Sequence, residues 1–453
     1  MQNNLIRKYN IPAPRYTSYP TVPYWEKEAP DSEQWIGSIS DSWYMVNKGK
    51  GISLYIHLPY CESLCTYCGC NTRITVNHKV EEPYIRAVLE EWAMYESAFP
   101  ETAVIDEIHL GGGTPTFFSP ENLRQLILGI QGSAIISNNA HLSFEAHPAN
   151  TTKEHLEVLY ELGFRRLSLG IQDFDPHVQE VINRKQSEEQ VMEVMDQARK
   201  IGYTSINFDL IYGLPFQTSH SIQNTVEKVI AMQPDRIAFY AYAHVPWMKP
   251  GQRKYSEADL PREEEKLALY ETGKKMLLNA GYLEVGMDHF ALADDELIHA
   301  DKRGELHRNF MGYTTTQSKI LIGLGASAIS DSWFGFAQNH KVVEDYIKAI
   351  EERRLPINKG HILTPADLVI RQHILNIMCR RSTSWEKEEL QCEELYEGLN
   401  RMDEVIKDGL VKVDPFHLKV PDKGKPFLRN ICMALDARLH EKQPESRIFS
   451  SAI

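Results

Sequence analysis

Three closely spaced cysteine residues are the feature of this sequence best suited to carry chemistry. Cys61, Cys65 and Cys68 follow the spacing C-x3-C-x2-C in the segment YIHLPYCESLCTYCGCN. Thiolates select soft metals and iron–sulfur clusters, but a closed zinc site or a four-iron cluster normally takes four protein ligands. Three ligands on a four-iron cluster would leave one iron open to a substrate. Zinc and unliganded structural cysteines are the alternatives, and we treat Cys70 as a neighbour of the group.

The glycine run Gly111, Gly112 and Gly113, followed by Thr114 and Pro115, is a second candidate motif. Because glycine has no Cβ atom, the backbone can approach a small zwitterionic ligand and present its N–H and carbonyl groups to it. No Lys-Ser or Lys-Thr pair follows, so the run does not match a phosphate-binding loop. A tight turn after a strand is the structural alternative.

Two acidic residues lie in apolar surroundings, Glu145 in LSFEAHP and Asp209 in INFDLIYG. Glu145 could accept hydrogen bonds from an ammonium group or ribose hydroxyls, or it could pair with a nearby arginine. Asp209 must be paired if it is buried, because an isolated buried carboxylate is costly. Arg184 could supply that charge, clamp an anion or be a solvated helix residue. Tyr55 and His57 are core residues by default.

Composition and charge restrict the classes of function. The chain has 453 residues, of which 42% are hydrophobic and 25% charged, as in ordinary globular proteins. Its net charge of −13 argues against a nucleic-acid partner. No apolar run reaches the roughly 18 residues that span a bilayer, and the N-terminus does not resemble a signal peptide. Seven cysteines, four of them clustered, fit metal binding in a reducing compartment, so we expect a cytoplasmic protein without a membrane partner.

Apolar runs alternate with helical segments between residues 50 and 240, which predicts βα repeats. The predicted strands cover residues 52–58, 105–113, 140–148, 165–172, 204–215 and 235–246. Apolar residues at three-to-four spacing predict helices over 79–98 and 186–201. Six βα repeats imply an α/β fold with a partial, TIM-like (βα)6 barrel.

The candidate residues follow the predicted strands at their carboxyl ends, where such barrels bind ligands. The cysteines follow the first strand and the glycine run follows the second. Glu145 ends the third strand, Gln172 ends the fourth, and Asp209 lies late in the fifth. The chemistry should therefore collect on one rim of the barrel.

We expect three parts of the chain. These are an N-terminal covering segment (1–48), a catalytic barrel with an elaboration that closes its open side (49–362), and a mostly helical, winged-helix-like C-terminal domain (363–453). Within the elaboration, the segments GMDHF (286–290) and ELHRNFMGYTT (305–315) place His, Asp and Arg beside aromatic residues. These segments could bind an anionic aromatic substrate or make polar contacts between domains.

The order of these motifs resembles the radical S-adenosylmethionine (SAM) superfamily. Over nearly its whole length the sequence is similar to the oxygen-independent coproporphyrinogen III oxidase (coproporphyrinogen dehydrogenase) family. The similarity rests on PRYTSYPT (14–21), CTYCGCN (65–71), GGGTPT (111–116), LGIQDF (169–174), NFDLIYGLP (207–215), GMDHFA (286–291), LHRNFMGYTT (306–315) and RNICM (429–433). It implies that the barrel is a radical SAM barrel.

The resemblance also implies cofactors and the residues that bind them. Cys61, Cys65 and Cys68 would hold a [4Fe-4S] cluster, whose unique iron is chelated by SAM. A first SAM molecule would be bound by Tyr55, Gly112, Glu145 and Ile329, and Tyr55 and Glu145 are also the catalytic candidates. A second SAM molecule would be bound by Tyr67, Gly113, Thr114, Gln172, Arg184, Asp209 and Ala243.

The implied reaction is the oxidative decarboxylation of two propionate groups of coproporphyrinogen III to vinyl groups, giving protoporphyrinogen IX in anaerobic haem biosynthesis. A radical derived from SAM would take hydrogen from each propionate β-carbon. The substrate carries four carboxylates, so this acidic chain needs a local cationic patch, for which the candidates are Arg15, Arg184, Arg253 and Arg308. We expect a monomer that uses an unidentified electron donor and acceptor.

Two other functions compete with this interpretation. A related radical-SAM haem chaperone would bind and deliver haem without decarboxylating a substrate. Cys70 in CGCN, the PRYTSYP segment and the extended C-terminal domain favour the oxidase. A closed zinc-binding structural module within an inert barrel would contain zinc and no iron.

Overall fold

The computed structural model describes residues 2–26, 28–442 and 449–450. Its strands are β1 (Ile52–Leu58), β2 (Tyr60–Cys61), β3 (Arg73–Ile74), β4 (Val104–Gly112), β5 (Ile135–Ala146), β6 (Arg166–Gln172), β7 (Ser205–Tyr212), β8 (Arg236–Ala241), β9 (Leu283–Val285), β10 (His289–Ala291), β11 (His307–Asn309), β12 (Gly312–Thr314), β13 (Leu321–Leu324), β14 (Ile329–Asp331), β15 (Gly335–Asn339), β16 (Ile357–Ile362), β17 (Ser382–Ser384), β18 (Lys412–Asp414) and β19 (His417–Lys419).

The α-helices alternate with the barrel strands and then dominate the C-terminal region. They are α1 (Gln2–Tyr9), α2 (Ser32–Met45), α3 (Glu81–Ala98), α4 (Pro120–Gln131), α5 (Lys153–Glu161), α6 (Pro176–Val181), α7 (Glu188–Ile201), α8 (Ser219–Met232), α9 (Glu263–Asn279), α10 (Glu296–Arg303), α11 (Val343–Glu351), α12 (Pro365–Arg380), α13 (Glu393–Asn400), α14 (Asp403–Lys407), α15 (Leu428–Leu435) and α16 (Ala437–Glu441). In the described part of the chain, none is both long and apolar enough to cross a bilayer.

Six parallel strands form the barrel, and they pair in the order β1, β4, β5, β6, β7 and β8. This confirms the predicted (βα)6 arrangement. Across neighbouring strands, the register pairs Tyr55 with His109 and His109 with Ser143. Side chains alternate between the two faces of a strand, so these paired residues point to the same face of the sheet.

Local sequence signals explain where the barrel helices begin. The side chain of Ser119 accepts a hydrogen bond from the N–H of Asn122, and Pro120 takes the first position of α4. Thr152 before α5 and Ser187 before α7 each complete a capping box. The helices pack against strand side chains that are fully buried, among them Ile56, Ile108 and Phe144.

The residues after the barrel extend the sheet at both edges. Strand β13 pairs in parallel with β1, and β14, β15 and β16 continue antiparallel beyond it. At the opposite edge, β10 pairs antiparallel with β8, and β9 follows. The predicted elaboration therefore consists of two additions to one twelve-stranded sheet, while β11 and β12 form a separate hairpin.

The C-terminal region combines helices with a three-stranded sheet in the order β17, β19, β18, as expected for a winged-helix-like unit. Its apolar core includes Ile374, Leu395 and Ile431, and also Tyr9 and Tyr16 from the N-terminal segment. Helix α2 packs instead against the barrel core. The N-terminal segment thus contributes to two cores, and the predicted domain boundaries stay predictions.

Candidate active site

The cysteine loop (residues 61–70) leaves the carboxyl end of β1 and contacts the segment that follows α6. The N–H of Thr66 donates to the carbonyl oxygen of Ile182 (2.9 Å), and its hydroxyl donates to that of Val181 (3.1 Å). The loop is therefore fixed against the rim of the barrel, as the positions of the motifs predict.

The three candidate ligand thiols, Cys61, Cys65 and Cys68, are free and differ in their surroundings. Burial raises the pKa of the Cys61 thiol to about 11. A hydrogen bond with Cys70 lowers the pKa of the Cys68 thiol to about 6. The guanidinium group of Arg184 donates to the Sγ atom of Cys65 at 3.7 Å. A neighbouring cation favours the thiolate form, in which cysteine binds metals.

The arrangement of the thiols fits an iron–sulfur cluster better than a single metal ion. Within the described residues, no group of three or more His, Cys, Asp or Glu side chains could hold one metal ion. A closed zinc site takes four ligands, one more than the three spaced cysteines supply. In a four-iron cluster each thiolate binds a different iron, so the ligands need not converge. Three thiols on one loop, beside a guanidinium group, fit such a cluster.

Glu145, near the end of β5, is an ionised carboxylate at the mouth of the barrel. The Nε2 atom of His109 lies 3.4 Å from its Oε1, and the N–H of Gly112 donates to its Oε2 at 3.3 Å. Burial acts to raise the pKa of Glu145, but the hydrogen bond and charge of His109 hold it below its usual value. The ring of Tyr55 stacks on His109 with 6.0 Å between centroids. The Glu145 side chain is still 43% exposed, so a ligand can reach it.

The glycine run keeps space open beside this carboxylate. A Cβ atom at Gly111 would lie 3.0 Å from the ring of Tyr55 and 3.2 Å from the carboxyl group of Glu145. Gly112 has φ +115°, and a Cβ atom there would lie 2.8 Å from the ring of His57. His57 is buried and lies 3.1 Å from the Tyr55 hydroxyl. The run is therefore a tight turn whose backbone approaches Tyr55, His57 and Glu145 more closely than any residue with a Cβ atom could.

Arg184 reaches from the segment after α6 to the end of β6. Its Nε and Nη2 atoms donate to the carbonyl oxygen of Gly170 at 3.1 and 2.6 Å. A Cβ atom at Gly170 would lie 2.6 Å from Nη2, so a larger residue there would displace the Arg184 guanidinium group. Asp209 accepts hydrogen bonds from Ser168 (3.1 Å) and Asn207 (2.8 Å), and burial raises its pKa to about 6. Among the described residues, Asp209 therefore accepts its hydrogen bonds from neutral donors, whereas the hydrogen bonds of Arg184 go to Gly170 and Cys65.

Gln252 joins two of the residues predicted for the second SAM molecule, although its sequence context gives no signal. Its Nε2 atom donates to the carbonyl oxygens of Tyr67 (3.1 Å) and Ala243 (3.2 Å), and the residue is 1% exposed. Gln172 is buried at the end of β6 with φ 67°. His109 was also missed, although its alternation with Gly111 along β4 could have shown that it shares a face with the glycine run.

The remaining predicted residues lie around the same rim. The Oγ1 atom of Thr114 lies 3.3 Å from the Sγ atom of Cys61. A Cβ atom at Gly323, which pairs with Tyr55 across β1 and β13, would lie 2.5 Å from the carbonyl oxygen of Ile329. The structure therefore brings the predicted cofactor residues to one end of the barrel.

The four arginines that are candidates for binding substrate carboxylates lie in three separate places. The Nη2 atom of Arg308 donates to the carbonyl oxygen of Arg15 at 3.5 Å, so these two are neighbours. Arg184 lies instead against the cysteine loop. Arg253 is exposed, and its Nε atom donates to the carbonyl oxygen of Pro246 at 3.0 Å.

Comparison with known proteins agrees with this arrangement. Residues 55–229 match the model of the radical SAM superfamily. The chain is 38% identical to the oxygen-independent coproporphyrinogen III oxidase of Synechocystis sp., over 99% of this chain and 97% of the relative. It is 36% identical to the Escherichia coli protein of that name, over 97% of this chain and 95% of the relative.

A solved structure gives the same result. Coproporphyrinogen III oxidase (HemN) from Escherichia coli, described as a radical SAM enzyme, superposes with a TM-score of 0.89 at 35% identity. The superposition covers 96% of this chain and 98% of that one. The resemblance drawn from the sequence motifs is confirmed. The chain belongs to the oxygen-independent coproporphyrinogen III oxidase family within the radical SAM superfamily.

Proposed function

We propose that this protein converts coproporphyrinogen III to protoporphyrinogen IX without oxygen, by oxidative decarboxylation of two propionate groups to vinyl groups in haem biosynthesis. Its relatives over nearly the full length carry the name of this activity. The observation that supports the proposal best is the set of three free thiols, Cys61, Cys65 and Cys68, at the same end of the barrel as an ionised, accessible Glu145.

Membership of the radical SAM superfamily implies a [4Fe-4S] cluster and SAM. When bound, they would supply the one-electron cleavage of the sulfonium and the 5′-deoxyadenosyl radical that removes hydrogen from the propionate β-carbon. Cys61, Cys65 and Cys68 would hold the cluster. Glu145, kept ionised by His109, would accept hydrogen bonds from the first SAM molecule.

Tyr55 completes the wall of this first SAM site, with the backbone of Gly112 and Ile329. Burial raises the pKa of Tyr55 well above its usual value, so its hydroxyl stays protonated and can donate a hydrogen bond. We assign to this hydroxyl a positioning role beside His57, at 3.1 Å. It would orient the ligand without giving up its proton.

A second SAM molecule would lie across the rim from the first. Asp209, held by neutral donors, and Arg184 would contact its polar groups. Gln172, Gly113 and Thr114 line the neighbouring strand ends, and Gln252 fixes the backbone that carries Tyr67 and Ala243. Two SAM molecules would match the two propionate groups that react.

The covering segments exclude water from this rim, which a radical reaction requires. Tyr16 and Tyr19 of the N-terminal segment are buried against the C-terminal region. We propose a cytoplasmic monomer that receives electrons from a separate donor and passes them to a separate acceptor. No nucleic acid or membrane takes part in this proposal.

The direct test is an anaerobic assay of the reconstituted protein with SAM, a reductant and coproporphyrinogen III. We expect a vinyl product whose mass reflects loss of carbon dioxide, formed together with 5′-deoxyadenosine. Cys65→Ala should lose the brown colour and both products, whereas Cys392→Ala, in the C-terminal region, should keep them. Tight haem binding without a vinyl product would favour the chaperone. A colourless protein that contains zinc and no iron would favour the structural module.

A further inference from the structure

A cavity of about 1050 Å³ lies beside the proposed active site. Its wall includes Arg15 from the N-terminal segment, Tyr212 and Ala241 from the ends of β7 and β8, Asp288 from the turn before β10, and Arg429 from the C-terminal region. This volume is at the upper end of the range for small-molecule sites. The N-terminal segment, the barrel and the C-terminal region thus share one cavity large enough for a bulky substrate.

Arg308 lies directly behind this wall, in β11. It is 7% exposed, and its Nη2 atom donates to the carbonyl oxygen of Arg15 at 3.5 Å. Its guanidinium carbon lies 4.4 Å from the ring centroid of Tyr313, which is its partner across the β11–β12 hairpin. Among the described residues, the Nε and Nη1 atoms of Arg308 have no hydrogen-bond partner. Buried charged donors are costly when they are unpaired, so Arg308 leaves an uncompensated positive charge directly behind Arg15.

The charges around Arg308 leave room for an anion. Burial acts to raise the pKa of Asp288, but His289, Arg308 and Arg15 together hold it at about 2. The Nδ1 atom of His289 already lies 2.7 Å from the Asp288 carboxylate. One carboxylate therefore faces two guanidinium groups and an imidazole, and the positive charge of the pair Arg308 and Arg15 is only partly balanced.

This cluster adjoins the proposed SAM sites. The hydroxyl of Tyr240, in β8, lies 3.4 Å from the Nε2 atom of His289. Strand β8 pairs with β7, which carries Asp209, and Ala238 is the register partner of Asp209. Arg15 lines the cavity, and its Nη2 atom donates to the carbonyl oxygen of Ala241 at the end of β8 at 3.3 Å. A ligand in the cavity with one group at Arg15 would therefore lie next to the rim where the radical is formed.

From this geometry we infer that Arg15 binds a carboxylate group of the tetrapyrrole substrate in this cavity, and that Arg308 positions Arg15 and adds positive charge from behind the wall. The inference rests on the proposed function and adds the residues that recognise the substrate. A planar guanidinium group can bind a carboxylate through two parallel hydrogen bonds, which suits the propionate groups of coproporphyrinogen III. The inferred site also brings together the segments 286–290 and 305–315, each of which the sequence indicates as a possible site for an anionic aromatic substrate.

The test is a fluorescence titration of the reconstituted holoenzyme with coproporphyrin III, the oxidised tetracarboxylate, and with its tetramethyl ester. Arg308→Gln should weaken binding of the acid by about tenfold or more, and Arg308→Lys should lie between it and the wild type. The matched control Arg124→Gln removes an exposed arginine that pairs with Glu161, and it should bind as the wild type does. The tetramethyl ester should bind weakly to the wild type and to all three variants.

Two results would overturn the inference: wild-type affinity for the acid in a folded Arg308→Gln variant, or ester binding as tight as acid binding. Circular dichroism and iron content establish that the variant is folded. If Arg308→Gln does not fold, Arg15→Gln, on the half-buried partner at the cavity wall, should show the same loss. Vinyl product is measured separately. A wild-type protein that binds the acid tightly, with the expected loss in the arginine variants, yet makes no vinyl product would support this site and contradict the proposed function.

Discussion

The guanidinium group of Arg184 lies 3.7 Å from the Sγ atom of Cys65, although 119 positions separate the two residues in the chain. The same group donates two hydrogen bonds to the carbonyl oxygen of Gly170 at the end of β6. One side chain therefore links a barrel strand to the cysteine loop. It also places a permanent positive charge beside a thiol that must ionise to bind iron.

We predict that Arg184→Lys lowers the number of SAM molecules bound per chain from two to about one. A lysine has a single ammonium group and cannot keep both the Gly170 and the Cys65 contacts, so the polar wall of the second site is lost. The measurement is anaerobic equilibrium dialysis with labelled SAM. Lys185→Gln, which removes a neighbouring exposed cation paired with Glu180, should still bind two. Two bound molecules in Arg184→Lys would contradict this assignment.

We predict that Glu145→Gln weakens binding of the first SAM molecule by about tenfold to a hundredfold, because hydrogen bonds to a charged group are the strong ones. The substitution keeps the size of the side chain and removes the charge that His109 stabilises. The measurement is the SAM concentration that changes the electron paramagnetic resonance signal of the reduced protein. Glu121→Gln, at an exposed position of α4, should leave that concentration unchanged. An unchanged titration in Glu145→Gln would exclude the carboxylate from the site.

We predict that Gly113→Ala destabilises the protein by about 1–3 kcal/mol and more than halves its iron content. The new Cβ atom would lie 2.6 Å from the carbonyl oxygen of Pro59, a backbone atom that cannot rotate away. The chain just before Cys61 must therefore move. Urea unfolding and iron analysis give the two values. Gly37→Ala, in α2 with no heavy atom within 4 Å of the new Cβ, should keep its iron and its stability.

We predict that Glu91 makes the stability of the protein depend on pH. Burial raises the pKa of this fully buried carboxyl from 4.5 to about 7, although Gly325, Asn339 and Tyr346 donate hydrogen bonds to it. The folded protein therefore holds the proton more tightly than the unfolded chain does. This contribution is complete below about pH 4.5 and is lost as the pH rises through about 7, by roughly 3 kcal/mol.

The measurement is the free energy of unfolding in urea at several pH values across that range. The free energy of unfolding of Glu91→Gln should fall less than that of the wild type across this pH range, by the amount given above, because its side chain cannot ionise. Glu90→Gln changes the adjacent, exposed position of the same helix and should follow the wild-type curve. Parallel curves for Glu91→Gln and the wild type would show that Glu91 does not bind a proton in this range.

The barrel could be predicted from the sequence because its signals are local. Apolar strands bounded by glycine or proline, and caps such as Ser119, depend on residues a few positions apart. The start of strand β5 differs from the prediction. It begins at Ile135, earlier than the predicted residue 140, because Ser137, Asn138 and Asn139 look like a loop although they extend the same strand. Ile135 and Ile136 pair with β4 and start the strand early, whereas Ser137, Asn138 and Asn139 fall in the register shift between Ile105 and Glu107.

The partners of the site residues could not be predicted in the same way. Gln252 donates to the carbonyl oxygen of Tyr67 across 185 positions, and Arg308 donates to the backbone of Arg15 across 293 positions. Such contacts arise only when distant segments fold together, and no short motif encodes them. The strands added at the edges of the sheet could not be predicted for the same reason, because β13 follows the whole barrel in the chain and yet pairs with its first strand, β1.

The shared core of the two chain ends has a consequence for biosynthesis. Tyr16 donates a hydrogen bond to Asp436 at 3.0 Å, and Arg429 donates one to the carbonyl oxygen of Pro14 at 2.9 Å. On the ribosome, the opening residues must wait for almost the entire protein to emerge before they find these partners. During that interval the N-terminal segment lacks the partners that hold it in place, so it can settle on the C-terminal core only after translation has passed Asp436.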